Sequence, residues 1–165
     1  MRGVTTSAPR TWTITPTPVG HPDAVVLLRG YLDELISRYY GRPALESEIV
    51  QEMGDGSDLV APHGVLLVAR DAGVLVGCAG LRWLSPEVGE LTRVFVTAQA
   101  RRGGGGARVV AAAEEAARAH GVGRVLLNTR KDLTEAIALY RRLGYRETDP
   151  YGDDPYAELW FAKNL

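Results

Sequence analysis

The stretch RRGGGGARVVAAAEEAARAHG, residues 101–121, decides how this chain is built. Four consecutive glycines stand directly before an alanine-rich segment, although glycine weakens a helix by about 1 kcal/mol per residue relative to alanine. A helix that begins in this run presents free N–H groups and partial positive charge, and glycine lets the backbone approach an anion closely. With Arg101, Arg102 and Arg108 around the turn, the segment indicates either a cradle for a diphosphate or a flexible turn with solvated arginines.

Apolar periodicity on both sides of the glycine run predicts a mixed α/β fold. Because a strand–helix–strand unit runs from 90 to 129, its two strands should pair in parallel. There is no repeat and no low-complexity linker, so we expect one domain over residues 1–165, with residues 1–10 disordered. Strands are predicted at 11–16, on both sides of Asp71-Ala72-Gly73 within 64–84, and at 90–97, 123–129, 145–148 and 157–163; helices are predicted at 24–40 (capped by Asp23), 46–53, about 105–119 and 133–143.

The composition is that of a globular protein. The 165 residues are 45% hydrophobic and 24% charged, with a formal net charge of −1, which gives no electrostatic reason to expect a nucleic-acid partner. No apolar run approaches the ~20 residues of a membrane span, and the start has no apolar signal core. Cys78 is single and sits in an apolar strand, so we expect it in the core, and the histidines lack metal-ligand spacing. We therefore expect a cytoplasmic protein, of bacterial composition, without a metal, nucleic-acid or membrane partner.

Two common phosphate-binding motifs do not fit the glycine run. A Walker loop requires Lys followed by Ser or Thr after its last glycine, where this chain has Ala107 and Arg108. A dinucleotide-binding fingerprint requires an acidic residue at the end of the next strand, where this chain has Asn128 and Thr129. A nucleotide-binding α/β protein is therefore the weaker interpretation.

A third motif fits residue by residue. RGGGGA, residues 102–107, resembles R-x-x-G-x-A, the coenzyme A loop of the GNAT N-acetyltransferase superfamily. ELTRVFVT, residues 90–97, is similar to the family's fourth strand, and PYAELWFAKNL resembles its closing strand. EAIALYRRLGYRE, residues 135–147, resembles the late A-x-x-L-Y-x-x-x-G-F helix end, with Tyr145 in place of phenylalanine. The resemblance covers about residues 64–165. It implies the GNAT fold, a central twisted mixed sheet flanked by helices, and acetyl-CoA as co-substrate; homodimers are common in the family.

The resemblance also implies a cofactor site. In the family, backbone N–H groups of the fourth strand polarise the thioester and the glycine loop holds the CoA diphosphate. Gly106 stands where relatives have a bulkier residue, which we expect to loosen the loop. Leu133 stands where many relatives have asparagine, so one polar contact to the cofactor is expected to be missing. The predicted cofactor-binding residues are Val94, Phe95, Val96, Arg101, Arg102, Gly103, Gly104, Gly105, Gly106, Ala107, Arg108 and Asn128.

Two residues are candidates for acid–base catalysis. A lysine-like amine has a pKa of ~10.4, so its attack at neutral pH requires a proton acceptor. Tyr140, in the Leu139-Tyr140 pair, matches the family tyrosine that protonates the CoA sulfur; the alternative is a packed tyrosine whose hydroxyl binds backbone. Glu90 matches a glutamate that in several family members deprotonates the amine through water; the alternative is an exposed strand-end carboxylate. Simple alternation places Glu90, Thr92, Val94 and Val96 on one face.

The sequence thus predicts an acetyl-CoA-dependent N-acetyltransferase. The expected acceptor is a primary amine of a small molecule or protein, which attacks the acetyl group directly. A non-catalytic acyl-CoA-binding or regulatory module on the same fold is the alternative. The acceptor is not specified by the sequence. The acidic residues Asp149, Asp153, Asp154 and Glu158 indicate either attraction of a cationic amine or a solvated loop.

Overall fold

The computed structural model describes residues 11–165, so the prediction for residues 1–10 lies outside the described residues. The strands and helices follow one another in the order that the periodicity predicts, and their ends differ from the predicted ones by a few residues. In chain order they are β1 (Trp12–Pro16), α1 (Pro22–Tyr40), α2 (Glu46–Met53), β2 (Gly64–Asp71), β3 (Val74–Trp83), β4 (Val88–Val96), α3 (Gly105–Ala119), β5 (Arg124–Thr129), α4 (Thr134–Arg142), β6 (Arg146–Glu147) and β7 (Leu159–Asn164), with 3₁₀ turns at Ser57–Leu59 and Ala98–Ala100.

The seven strands form one mixed sheet in the order β1-β2-β3-β4-β5-β7-β6. The β4–β5 pair is parallel, as expected for two strands joined by the crossover helix α3. The other neighbouring pairs are antiparallel. The predicted mixed α/β architecture is therefore confirmed.

Helices cover both faces of the sheet. On one face, small and β-branched residues of α3 such as Val109 and Ala113, both 0% exposed, belong to a buried cluster that includes Phe161 of β7. On the other face, Leu27 of α1 packs in a second cluster with Cys78, which is also fully buried. Burial raises the pKa of the Cys78 thiol to about 12, so it is an inert core residue, as the sequence predicts.

The β2–β3 hairpin turns at Ala72 and Gly73, with φ angles of 49° and 85°. Positive φ at both central positions is the geometry of a tight hairpin turn, whose twist matches that of the flanking strands. The hairpin predicted around Asp71 is therefore confirmed.

The start of α1 differs from the prediction. The helix begins at Pro22, and His21 is its N-cap, with Nδ1 accepting a hydrogen bond from the Asp23 backbone N–H at 3.1 Å. The predicted cap, Asp23, instead accepts a hydrogen bond from Arg70 of β2 at 2.8 Å. Proline is well suited to the first helical position because its missing N–H would have no partner there.

A bulge interrupts β4. Phe95 pairs with Cys78 and Thr92 with Gly80, so two residues of β4 face a single residue of β3. Arg93 is one of the two and has a φ of 51°, a left-handed conformation that costs a non-glycine residue energy. Its guanidinium donates to the Asp58 carboxylate at 3.0 Å, which anchors the strained residue.

Because of this bulge, the alternation expected for β4 is wrong. Val94 and Val96 pack against the core on the α3 side of the sheet. Glu90 lies opposite Arg82 in the register, on the same face as Cys78, which packs on the α1 side. The extra residue at the bulge exchanges the faces, so the predicted base and the two valines lie on opposite sides.

Candidate functional site

The sheet opens into a fork between its two parallel strands. β4 and β5 pair at Val88 with Arg124, Gly89 with Val125 and Glu90 with Leu126, and no further along. Beyond Glu90, and among the described residues, β4 pairs only with β3 and β5 pairs only with β7. The inner edges thus present backbone N–H and C=O groups outside the ladder. A cleft of about 1200 Å³ lies at this fork.

The glycine run begins α3 at the rim of this cleft, as the sequence predicts. The helix starts at Gly105, and Gly103 and Gly104 precede it with φ angles of 116° and 80°. Side chains rarely adopt these angles, so glycine is required at both positions. The first N–H groups of the helix have no intrahelical partner, and Gly104, Gly106 and Ala107 line the cleft.

The next two glycines have different packing roles. A Cβ on Gly105 would lie 2.7 Å from Cη2 of Trp12 and 2.8 Å from the Ala100 carbonyl oxygen. A Cβ on Gly106 would lie 2.7 Å from Cδ2 of Leu139, at the flexible end of that side chain. Gly105 is therefore buried beneath the loop rather than exposed to a ligand, and Leu139 of α4 fills the space that a bulkier residue at 106 would occupy.

The three arginines near the loop have different surroundings. Arg101 donates from Nε to the Val96 carbonyl at 2.9 Å and from Nη2 to Glu34 of α1, so its guanidinium ties the loop to α1. Arg102 is exposed at the rim. The Arg108 guanidinium lies 5.0 Å from the ring centre of Trp12. Of these, Arg101 lines the cleft, and phosphate contacts by the three arginines stay a prediction.

Tyr140 lies on α4 and lines the cleft, where it is 7% exposed. Its ring packs edge-on against Tyr145, with ring centres 5.8 Å apart and an interplanar angle of 68°. Burial, with a smaller contribution from Tyr31, raises the pKa of its hydroxyl well above the usual tyrosine value. No hydrogen bond joins this hydroxyl to another described residue, so the alternative of a hydroxyl bound to backbone is wrong.

The start of α4 lacks a side-chain cap. Leu133 occupies the N-cap position without a capping hydrogen bond and also lines the cleft. Its side chain has no hydrogen-bonding group, and the expected loss of a polar contact to the cofactor stays a prediction.

Glu90 is 5% exposed and lines the cleft at the point where the fork begins. Its Oε1 accepts hydrogen bonds from both Nε (2.9 Å) and Nη2 of Arg82, its partner across β3 and β4. The alternative of an exposed strand-end carboxylate is therefore wrong. Glu90 is instead a buried, oriented carboxylate.

Two polar residues of the site were not predicted from the sequence. Arg82 is brought to Glu90 by the β3–β4 register, and Tyr151 reaches the fork from the loop between β6 and β7. The Tyr151 hydroxyl is buried beside Glu90 and Asn128. Neither belongs to a local motif, so no signal in the sequence identified them.

The acidic residues of the last loop separate in the structure. Asp153 and Asp154 line the cleft, whereas Glu158 accepts a hydrogen bond from the Lys131 backbone N–H at 3.1 Å. Aromatic residues line the same end of the cleft: Tyr156 packs edge-on against Tyr39, with ring centres 5.4 Å apart.

Comparison with known proteins agrees with this geometry. The model of the acetyltransferase (GNAT) family matches residues 30–145. The chain is 37% identical over 148 residues to an IAA acetyltransferase of Azospirillum brasilense, an alignment that covers 87% of this chain and 92% of that protein. The chain therefore belongs to the GNAT acetyltransferase family, and the predicted enzyme class, an N-acetyltransferase, is confirmed.

Solved structures share the fold. A protein of Klebsiella pneumoniae assigned to the acyl-CoA N-acyltransferases superimposes with a TM-score of 0.72 at 27% identity, covering 94% of this chain and 98% of that chain. The PaiA N-acetyltransferase of Thermoplasma acidophilum, solved in complex with coenzyme A, has a TM-score of 0.73 at 14% identity, covering 94% and 99%, and shows the fold alone. Within residues 11–165 no helix is long and apolar enough to cross a membrane. The cytoplasmic location, the homodimer and the absence of a metal stay predictions.

Proposed function

We propose that this enzyme transfers the acetyl group of acetyl-CoA to a primary amine of a small molecule or protein, by direct attack of the amine on the thioester. The observation that carries the proposal is the fork between β4 and β5, where the helix start at Gly105, Tyr140 and Glu90 are gathered around one cleft. The free N–H groups at the helix start suit a diphosphate. The unpaired inner edge of β4 supplies backbone donors for the thioester carbonyl.

The acid and the base have complementary surroundings. The Tyr140 hydroxyl lines the cleft and is protonated at neutral pH like any tyrosine, and burial raises its pKa further, so it holds a proton for the departing CoA thiolate. Glu90 lies at the base of the fork, where it accepts a proton from the amine directly or through water. Because both line the cleft, the geometry supports an enzyme over a non-catalytic acyl-CoA-binding module, which needs neither group.

The first experiment is a screen for thiol release from acetyl-CoA. The amines tested are polyamines, aminoglycosides, and peptides with free α-amino or lysine groups. IAA is a further test compound, because one relative is named an IAA acetyltransferase. We expect turnover that depends on one class of amine and yields the acetylated amine by mass spectrometry. Tight acetyl-CoA binding without turnover on any amine would favour the binding module.

Two neighbouring tyrosines then separate catalysis from stability. Tyr140→Phe keeps the ring packing and breaks no internal hydrogen bond, so we expect an unchanged melting temperature and a kcat lower by about 10²–10⁴-fold. Tyr145→Phe is the matched control: its hydroxyl donates to Glu114 at 3.3 Å, outside the cleft, so its loss should lower stability by about 1 kcal/mol and leave kcat unchanged. A Tyr140→Phe variant with wild-type kcat would remove Tyr140 from the mechanism.

A second matched pair tests the cofactor loop. Ala107 lines the cleft and Ala111 is exposed one turn further along α3, so Ala107→Glu adds a negative charge at the diphosphate site and Ala111→Glu adds one away from it. At about 5 Å and an effective dielectric constant of ~20, each pair of like charges costs about 3 kcal/mol. Calorimetry should show a loss of CoA affinity of at least 100-fold for Ala107→Glu alone. Equal affinity in the two variants would place the diphosphate elsewhere.

A further inference from the structure

The hydroxyl oxygen of Tyr151 is buried at the fork without a hydrogen-bond partner. It lies beside the Glu90 carboxylate and the Asn128 side chain, close enough for both to shift its pKa, but it forms no well-aligned hydrogen bond to either. A tyrosine hydroxyl is neutral at physiological pH, and burial, followed by the charge of Glu90, raises the pKa of this one further. A buried hydroxyl without a partner is energetically unfavourable, and a ligand that completes its hydrogen bonds removes that cost.

The neighbouring carboxylate is fixed in place. Arg82 donates two hydrogen bonds to Glu90, and both end on Oε1. Neither of these Arg82 hydrogen bonds ends on Oε2. Because arginine is permanently charged, this pairing holds Glu90 as an oriented carboxylate with one oxygen available. Arg82 thus acts through Glu90 as a positioning residue.

We propose that Tyr151 is an acceptor-binding residue, whose hydroxyl oxygen receives a primary ammonium group together with Glu90 Oε2 and the side-chain oxygen of Asn128. A primary ammonium has three N–H donors and no acceptor, and these three oxygens match that number. In this arrangement Asn128 contacts the acceptor, whereas the sequence predicted that it contacts the cofactor. The proposal rests on the proposed function and specifies its substrate class: primary amines, in preference to secondary ones.

The three protons of the ammonium have defined destinations. One passes to the Glu90 carboxylate and from there to solvent. The neutral nitrogen then attacks the thioester carbon, so that a C–N bond forms and the C–S bond breaks. Tyr140 gives its proton to the departing sulfur and regains one from the nitrogen. The third proton stays on the amide nitrogen, and the products are the acetamide and CoA thiol.

The preference for primary over secondary amines follows from the number of N–H donors on the ammonium group. An N-methylated amine has one donor fewer and an added methyl group, so one of the three oxygens is left without a partner. Sites built to hydrogen-bond a substrate group reject analogues that lack it, because the unpaired site group has been removed from water. Removal of the Tyr151 hydroxyl should abolish this penalty for the methylated amine.

The test uses the best primary amine from the screen and its N-methyl derivative. For Tyr151→Phe we expect kcat/KM for the primary amine to fall at least tenfold, mainly through a higher acceptor KM. The ratio of kcat/KM between the two amines should fall towards one, while the calorimetric Kd for CoA stays within twofold of the wild type. Tyr145→Phe, whose ring lies outside the cleft, should keep the wild-type ratio. Asn128→Ala is the second variant and should lower the same ratio.

The possible failures are distinguishable. An unchanged amine ratio in both Tyr151→Phe and Asn128→Ala, with an active wild type, overturns the assignment and leaves the proposed function intact. A loss that is equal for both amines and accompanied by weaker CoA binding also overturns it, because that pattern indicates structural damage. A wild-type enzyme without turnover on any amine overturns the proposed function, and this assignment with it.

Discussion

Adjacent glycines of the cofactor loop should respond in opposite ways to the same substitution. In Gly105→Ala, the added Cβ meets Trp12 Cη2 at 2.7 Å, the Ala100 carbonyl oxygen at 2.8 Å and Val96 Cγ1 at 2.9 Å. Two of these atoms belong to a backbone carbonyl and a rigid ring, so relief requires a movement of the loop. Such overpacking costs about 1–3 kcal/mol and exceeds the gain of up to ~1 kcal/mol from alanine in a helix.

In Gly106→Ala, the single close contact is Leu139 Cδ2 at 2.7 Å, and the other Leu139 atoms lie 3.7 Å away or more. This side-chain end can rotate, so the helix preference of alanine is retained. We expect Gly106→Ala to be neutral or more stable by up to ~1 kcal/mol, and Gly105→Ala to be less stable by about 1–2 kcal/mol.

Equilibrium urea unfolding measures the difference directly. With a slope of about 1–3 kcal/mol per molar urea, the two variants should differ in midpoint by about 1 M. A double-mutant cycle with Trp12→Phe, which removes the benzo part of the indole, should reduce the cost of Gly105→Ala, because the two sites are in contact. If both alanine variants unfold at the same urea concentration, the assignment of Gly105 to packing is wrong.

Two further predictions concern helix caps and pH. Leu45 is the N-cap of α2, 55% exposed and without a capping hydrogen bond. Leu45→Ser should therefore raise the free energy of unfolding by about 1 kcal/mol, measured by urea titration. An unchanged free energy would show that α2 does not contribute to the cooperative unit. The hydrogen bond from Arg130 holds the pKa of the Asp132 carboxyl below its usual range. The ionised carboxylate therefore stabilises the fold at pH values above the ordinary carboxyl pKa of ~3.9, and this contribution is lost as the pH falls through the lower pKa of the folded protein. Asp132→Asn should therefore be less stable than the wild type at pH 7 and approach its stability as the pH falls through the lowered pKa of Asp132. A difference in melting temperature that stays constant during acidification would refute the linkage.

Most of the fold was predictable because its signals are local. Apolar periodicity identified the strands and helices, and the order of a strand, a helix and a strand over 90–129 predicted the parallel pair at the centre of the sheet. The glycine run also carried local information, since Gly103 and Gly104 adopt angles that other residues rarely reach. The motif at 102–107 and the Leu139-Tyr140 pair extended this to the family, which the comparisons confirmed.

The surroundings of the candidate site depended on contacts between residues distant in sequence. The bulge at Arg93 exchanged the faces of β4, and alternation alone could not anticipate it, because a bulge is a property of the pairing between two strands. In the same way, Arg82 meets Glu90 through the β3–β4 register, and Tyr151 reaches them from a loop some sixty residues further along the chain. Residue type and spacing therefore determined the elements and the glycine loop. The tertiary structure decided which polar groups meet at the fork, because strand register, twist and the opening of the fork are set by the packing of the whole sheet.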